Sequence, residues 1–320
     1  MTRFKNYVPQ GVIPATLLAF DNELAIDEEA TRAHLAHVAA VDGISAMTVN
    51  GHASEIHACG VDEQRRILEL SVDEVGGRLP LISGIWADGS HEAAMIARMS
   101  EAAGASALLV FPPQPIMMMQ GQMKPEMALV HFSTIADATD LPLIAFQYPE
   151  SYAYPVETLV RMAEEIPSFV AIKDWNAGAV HETHIRTLQA LSRPINVLST
   201  NSAWLMASLT MGPAGLLSGS GSVIADLQVA LWQAIQAGDL KRAQAINDRI
   251  NPTARCFYAA PSTDMHNRMK EALVMLGRMP RAVVRPPLTK LGAAEIETVR
   301  QAIEAAGLTY EGADMLRVAA

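Results

Sequence analysis

The chain has 320 residues, half of them hydrophobic, which is enough to bury a large core and within the size range of one α/β barrel. Its net charge of −10 is spread without a basic block, which argues against nucleic acid and against an anionic membrane surface as partners. No stretch reaches membrane-spanning length and the first residues lead into no signal-peptide core, so we expect a soluble, cytoplasmic protein. The two cysteines, Cys59 and Cys256, fit no disulfide framework and no metal spacing.

Short apolar segments alternate with helical patterns along the first 237 residues. The apolar segments have the length of buried parallel strands, and we predict them at 11–16, 44–49, 79–84, 105–111, 143–146, 168–174, 195–199 and 214–218. Each strand is followed by a predicted helix, and Asp27, Asp62 and Ser90 are expected to cap the first three helices. The later helices are predicted at 125–138, 155–166, 181–191, 202–211 and 226–236.

Eight strand–helix alternations predict a (β/α)8 barrel, also called a TIM barrel. A doubly wound sheet is the alternative, but it does not need eight such units, and no Gly-x-Gly-x-x-Gly follows the first strand. Three further helices are predicted at 239–250, 264–276 and 293–306. We therefore expect one compact unit, in which residues 1–237 form the barrel with the active site and residues 238–320 form a helical appendage packed on it.

The predicted strand 168–174 contains a lysine, Lys173, close to its carboxyl end. Parallel α/β proteins keep their chemistry at this end of the strands. Burial lowers the pKa of a lysine and makes its amine a nucleophile toward carbonyl carbon atoms. The alternative is an exposed lysine whose stem covers apolar surface.

Four short motifs together resemble those of one family, and their order and spacing carry the resemblance from residue 11 to residue 288. The family is that of dihydrodipicolinate synthase and N-acetylneuraminate lyase, which are pyruvate-dependent aldolases. The motifs are Val41-Asp42-Gly43-Ile44, Asn50-Gly51 with Glu55, Ala171-Ile172-Lys173-Asp174 and Leu198-Ser199.

The resemblance implies that Lys173 forms a Schiff base with the C2 carbonyl of pyruvate or another 2-keto acid. It also implies that the substrate carboxylate lies against the backbone N–H groups near His52, Ala53 and Ser54, which suit an anion. Relatives are commonly homotetramers built as dimers of dimers, so we expect the same here. The sequence gives no sign of a metal or nucleotide cofactor, and a metal site built from His57, His181 and His184 is not expected.

The sequence departs from the family pattern at three places. The two hydroxyl residues that the family carries after the second strand are His52 and Ala53 here. The tyrosine that shuttles protons in the family corresponds to Phe146, which has no proton to give. The arginine that grips the second substrate's carboxylate in true synthases falls at Ser151. Dihydrodipicolinate synthesis in its usual form is therefore not expected.

Two residues could replace the missing tyrosine. His52 has a pKa suited to acid–base work, although a hydrogen-bonded turn histidine explains it equally well. Tyr148 lies two residues after Phe146 and so points to the same face of a continuing strand, although it could be a packing aromatic at the barrel rim. Glu55 is expected to be a buried structural carboxylate, and Met117, Met118 and Met119 either line an apolar mouth or pack within their loop.

The sequence thus predicts a Schiff-base lyase, an aldolase or dehydratase, that acts through Lys173 with His52 or Tyr148 moving the proton. The predicted substrate-binding residues are Ala53, Ser54, Phe146, Asn201 and Ser218. One alternative is a barrel without lyase activity that binds a keto acid as a sensor or partner protein. A further option is a true dihydrodipicolinate synthase, which would need another residue in place of the absent arginine.

Overall fold

A barrel of eight parallel strands forms the centre of the molecule. The computed structural model describes residues 4–113, 123–149 and 154–310. The strands are β1 Gly11–Pro14, β2 Met47–Val49, β3 Leu81–Ile85, β4 Ala107–Val110, β5 Leu143–Gln147, β6 Phe169–Asp174, β7 Asn196–Ser199 and β8 Gly215–Ser218. Neighbouring strands in the chain are neighbours in the sheet, and β1 pairs with β8.

The sheet closes on itself between β1 and β2. Isolated parallel bridges join Val12 in β1 to Ile44, before β2, and Ala15, after β1, to Thr48 in β2. The approach of β8 to β1 requires Gly215, because a Cβ there would lie 2.2 Å from the Gly11 carbonyl oxygen. The predicted (β/α)8 barrel is therefore confirmed, and closure excludes the doubly wound sheet.

Helices surround the barrel and continue after it. The helices that follow successive strands are α1 Glu28–Ala39, α2 Val61–Val75, α3 Ser90–Ala102, α4 Pro125–Ala136, α5 Val156–Glu165, α6 Gly178–Leu188, α7 Leu205–Thr210 and α8 Gly221–Gln236. The chain then forms α9 Leu240–Phe257, α10 Met265–Met275 and α11 Ala293–Ala305. None of the helices in the described ranges combines the length and the hydropathy needed to cross a bilayer.

The predicted helix cap is correct for α1 and wrong for α2 and α3. Asp27 caps α1, where its carboxylate accepts from the Ala30 N–H at 3.0 Å. Gly60 and Gly89, and not Asp62 and Ser90, precede α2 and α3. Their side chains fall in the first helical turn instead, where an acidic group such as that of Asp62 still favours the helix dipole.

The start of α8 lies at Gly221, five positions before the predicted Asp226. Ile224 has non-helical dihedral angles inside it, so the first turn is kinked against the remainder. The segment 202–211 is likewise divided, into a 3-10 turn at Ser202–Trp204 and the short α7.

A buried ion pair joins α10 to the turn after β2. The Lys270 ammonium donates to the Glu55 carboxylate and to the Val283 carbonyl, and both side chains are fully buried. The second carboxylate oxygen of Glu55 accepts from the Arg285 N–H at 3.1 Å. Glu55 is therefore a buried structural carboxylate, as expected, and it attaches the C-terminal helices to the segment that carries His52.

Candidate active site

Lys173 points into the barrel at the carboxyl end of β6. Its side chain is 5% exposed, and its Nζ lies 4.3 Å from the centroid of the Phe146 ring on neighbouring β5. Burial lowers the pKa of Lys173 from the usual 10.5 to about 7. The alternative of an exposed strand-end lysine is therefore excluded, and a large fraction of this amine is unprotonated at neutral pH.

The amine opens into a cavity of about 220 Å³. Four of the other predicted site residues line it, namely His52, Ala53, Phe146 and Asn201. Ser54 and Ser218 do not line it, and their hydroxyls bond other protein groups. The Ser54 hydroxyl donates to the Thr16 carbonyl at 2.8 Å, and the Ser218 hydroxyl lies 3.0 Å from that of Ser220. Ser151 and Met117 to Met119 lie outside the described residues.

His52 and Tyr148 form a hydrogen-bonded pair beside the lysine. The Tyr148 hydroxyl lies 3.0 Å from His52 Nε2. Burial, and to a smaller extent the charge of Lys173, lower the pKa of His52 well below its usual value, so the imidazole is neutral. Burial also raises the pKa of Tyr148. The phenol therefore stays protonated, and its O–H donates a hydrogen bond to the lone pair of His52 Nε2.

Aromatic rings hold this pair in place. The His52 ring stacks on Phe111 at 4.9 Å between centroids, and Trp86 lies 5.2 Å away. The Tyr148 ring packs against Phe146 at 4.3 Å. These rings come from the carboxyl ends of different strands, so the barrel itself sets the position of His52 relative to Lys173.

The turn after β2 presents backbone N–H groups near the cavity. Residues His52–Ser54 form a single 3-10 turn whose first hydrogen bond runs from the Ser54 N–H to the Gly51 carbonyl at 3.1 Å. The N–H groups of His52 and Ala53 precede that bond, and such groups have no partner within their own turn. The geometry therefore suits an anion at Ala53, which lines the cavity.

A buried carboxylate next to Lys173 was missed in the sequence. Asp174 Oδ2 accepts from His181 Nδ1 at 2.7 Å and from His184 Nδ1 at 2.8 Å. Its Oδ1 accepts from the backbone and side-chain N–H groups of Asn176. Burial alone would raise the pKa of Asp174, but the two imidazole hydrogen bonds hold it well below its usual value.

This cluster joins the ends of three strands. The Asn176 amide donates to the Tyr148 carbonyl at 3.1 Å, after β5. His181 Nε2 lies 2.8 Å from the Ser208 hydroxyl, which lies 2.5 Å from that of Ser199 at the end of β7. Both histidines lie on the buried face of α6. Their spacing of three along a helix, after an aspartate that ends a strand, was the available signal.

Several cavity residues were also not singled out by the sequence. They are Ala15, Trp175, Ala203, Tyr258 and Met265. Thr200, Ser202 and Gly219, which follow β7 and β8, line the cavity as well. Tyr258 and Met265 come from the C-terminal helical region, and the Tyr258 oxygen accepts from the Ser220 N–H at 3.1 Å. Among the described residues, no group of three or more His, Cys, Asp or Glu side chains could hold a metal ion.

Comparison with known proteins identifies relatives over nearly the full length. The 4-hydroxy-tetrahydrodipicolinate synthase of Methanopyrus kandleri is 29% identical over 309 residues, which are 95% of this chain and 98% of the relative. That of Hyphomonas neptunium is 30% identical over 300 residues, 93% of this chain and 98% of the relative.

Solved structures share the fold at lower sequence identity. A prophage protein of the dihydrodipicolinic acid synthase family from E. coli K12, solved in complex with pyruvate, superposes with a TM-score of 0.85 at 21% identity and covers 93% of this chain and 99% of its own. The dihydrodipicolinate synthetase family model matches residues 8–306. The chain belongs to the dihydrodipicolinate synthetase family of lyases.

Proposed function

We propose that the protein is a Schiff-base lyase, an aldolase or dehydratase, that acts on pyruvate or another 2-keto acid through Lys173. The observation that carries the proposal is a buried amine of pKa about 7 that faces a cavity at the carboxyl ends of the strands. An unprotonated amine is the form that attacks a carbonyl carbon. One structural relative was solved with pyruvate bound, which supports a keto acid in this cavity.

The reaction follows from the properties of an imine. The Lys173 amine adds to the C2 carbonyl, and loss of water leaves a protonated C=N bond. This cation draws the electron pair of the C3–C4 bond toward nitrogen, while the C4 hydroxyl gives up its proton and an aldehyde departs. The resulting enamine is protonated at C3, and water then releases the keto acid. In the dehydratase variant, C3 loses a proton and the enamine expels hydroxide from C4.

His52 and Tyr148 are the proposed proton relay. The neutral His52 imidazole lines the cavity with Lys173, and Tyr148 holds its Nε2 at 3.0 Å. A proton taken from substrate can enter at His52 while the phenol proton reorients. General acid–base groups contribute roughly 10²–10⁴-fold to a rate. We therefore expect Tyr148→Phe and His52→Gln to lower kcat by about 10² or more.

Substrate binding is proposed at the turn after β2 and at the polar side of the cavity. The N–H group of Ala53 would receive the keto-acid carboxylate. Ser54 supports that turn through its bond to Thr16. Asn201 also lines the cavity. Ser218 supports the neighbouring Ser202, which lines it too, through a hydroxyl cluster that includes Ser220.

Intact-protein mass spectrometry after incubation with pyruvate and borohydride tests the proposal. A reduced pyruvyl adduct that maps to Lys173 and is absent from Lys173→Ala is the expected result. The variant should keep its far-UV circular dichroism spectrum and melting temperature, because an alanine removes a buried amine and no ion pair. Absence of an adduct with pyruvate and with a panel of longer 2-keto acids would contradict the assignment.

Two alternatives retain specific support. Phe146 in place of the family's tyrosine favours a keto-acid binding protein without turnover, which would form the adduct but release no product. The relatives' names favour a synthase, but Ser151 stands where the resemblance places the arginine. Turnover with pyruvate and any aldehyde would exclude the binding protein without turnover. Activity with pyruvate and an amino-acid aldehyde would establish the synthase.

The assembly and location are proposed from the family. We expect a cytoplasmic homotetramer, a dimer of dimers, although one solved relative is described as a monomeric variant. Sedimentation equilibrium measures the mass directly, and a monomer would contradict the tetramer.

A further inference from the structure

The cavity around Lys173 contains almost no formal charge. Among its described lining residues, Lys173 is the only one with a side chain that can be cationic at neutral pH, and none is Asp or Glu. His52 is neutral because burial lowers its pKa. The sequence segments 114–122 and 150–153, which lie outside the description, contain no Lys or Arg and one acidic residue, Glu150.

This charge inventory limits what a substrate can carry. When Lys173 forms an imine, the single positive charge of the iminium is balanced by the carboxylate of the bound keto acid, which lies at the turn after β2. Among the described lining residues, a second carboxylate would then have no cation beside it, and an ammonium group would have no carboxylate beside it. An uncompensated buried charge costs several kcal/mol.

Neutral hydrogen-bonding groups line the remainder of the cavity. The Tyr258 oxygen already accepts from the Ser220 N–H, so its own proton is free to donate. The Asn201 amide makes one long bond, 3.4 Å to the Trp175 carbonyl, which leaves its oxygen and second hydrogen for a ligand. Thr200 contributes a half-buried hydroxyl to the same side.

An aromatic side chain, that of Trp175, also lines the cavity. The Trp175 indole lies 5.8 Å from the Tyr148 ring and 6.5 Å from the Phe146 ring, so it is held against the strand ends. The volume of about 220 Å³ that the described residues enclose is below the roughly 300 Å³ at which drug-sized pockets begin. The substrate portion beyond a bound keto acid is therefore limited to a short chain.

We propose that the substrate portion beyond the keto acid is short and uncharged and carries hydroxyl or carbonyl groups, which Thr200, Asn201 and Tyr258 recognise. Small neutral hydroxyaldehydes fit this class. Amino-acid aldehydes and dicarboxylic keto acids do not, because they bring charges that the cavity cannot pair. This proposal rests on the Schiff-base function of Lys173 and specifies its second substrate.

A pair of keto acids that differ mainly in charge tests the proposal. The probes are 2-oxoglutarate, which has a second carboxylate, and its 5-methyl ester, which has the same chain without the charge. Borohydride trapping at Lys173 is measured as a function of concentration, with pyruvate as reference. We expect the ester to reach half-maximal adduct at a concentration at least 10-fold lower than 2-oxoglutarate does.

A charge placed in the cavity provides the matched variant. Asn201→Lys supplies the missing cation, and we expect it to improve trapping of 2-oxoglutarate relative to the ester by at least 10-fold. Asn201→Gln lengthens the side chain without a charge and should keep the preference for the ester. Pyruvate trapping by each variant reports that the fold and Lys173 are intact.

The outcomes separate this proposal from the function on which it rests. Equal or better trapping of 2-oxoglutarate by the natural protein would overturn the uncharged class, as would trapping of pyruvate with neither longer acid. Failure of Asn201→Lys to shift the ratio while pyruvate is still trapped would remove Asn201 from the recognition site. Absence of any adduct, pyruvate included, would instead overturn the Schiff-base function itself.

Discussion

The Nζ atom of Lys173 lies 4.3 Å above the centre of the Phe146 ring, on the strand next to its own. The ring keeps water from the amine, which contributes to the low pKa of Lys173. The same ring face attracts a cation, so it also suits the iminium ion of the proposed reaction. At the position where the family resemblance leads one to expect a tyrosine, Phe146 thus packs on the lysine amine and shields it from water.

The pH dependence of adduct formation reports the pKa of Lys173. Because that pKa is about 7 and only the unprotonated amine reacts, the trapping rate at fixed pyruvate should rise with pH and level off above about pH 8. The carboxylate of pyruvate is ionised throughout this range and does not contribute. A rate that still rises in proportion to hydroxide at pH 9 would indicate an ordinary lysine.

Phe146→Tyr should lower turnover. The added hydroxyl would be buried between Lys173, His52 and the Tyr148 ring, which packs at 4.3 Å, and would compete for the proton of the His52–Tyr148 pair. We expect kcat to fall by about 10-fold, which corresponds to ~1.4 kcal/mol. Steady-state kinetics with a neutral hydroxyaldehyde and pyruvate measure this. A gain in turnover would support the keto-acid binding protein that has lost its tyrosine.

Asp174→Asn should destabilise the fold. The asparagine side chain has one acceptor oxygen in place of two, so its NH2 group must face either the imidazole N–H groups of His181 and His184 or the N–H groups of Asn176. Removal of one member of a buried charged cluster costs roughly 3–5 kcal/mol. Urea unfolding at pH 7 measures the loss. The control is Glu182→Gln. Glu182 lies on α6, like the two histidines, but forms an exposed pair with Arg186, so the change should alter the free energy of unfolding by less than about 0.5 kcal/mol.

Acid should reduce the difference between Asp174→Asn and the natural protein. The folded pKa of Asp174 lies below its ordinary value of 3.8, so the unfolded chain binds the proton first. The stabilisation is therefore complete above pH 3.8 and is lost as the pH falls toward the folded pKa. A stability difference that stays constant down to pH 2 would argue that the cluster holds no carboxylate anion.

Glu55→Gln should be strongly destabilising, because it leaves the Lys270 ammonium buried beside a neutral amide. A loss of about 3–5 kcal/mol in the free energy of unfolding is expected. The double variant Glu55→Gln with Lys270→Met removes the charge and should recover part of that loss. Additive losses would show that the ion pair contributes no coupling. Glu165→Gln, in the exposed pair with Arg161, serves as the surface control.

Local patterns in the chain were sufficient for the barrel and for Lys173. Each strand is a short run of apolar residues whose length and neighbours predict it without reference to distant residues, and Lys173 follows such a run directly. Helix starts were less certain, because Asp62 and Ser90 lie one or two positions inside the helices that Gly60 and Gly89 precede. A difference of one residue changes a capping assignment but not the alternation on which the fold prediction rested.

The partners of the site residues depended on contacts between distant parts of the chain. Glu55 and Lys270 are 215 positions apart, and His52 and Tyr148 are 96 apart. No periodicity in a sequence encodes such pairs, because closure of the barrel is what brings the strand ends together. Composition and local pattern therefore determine the architecture and the position of the amine. Tertiary packing determines that the amine is desolvated and that His52 is neutral, because both depend on which side chains exclude water from the same space. It also determines which described side chains line the cavity, and none of them besides Lys173 carries a cation.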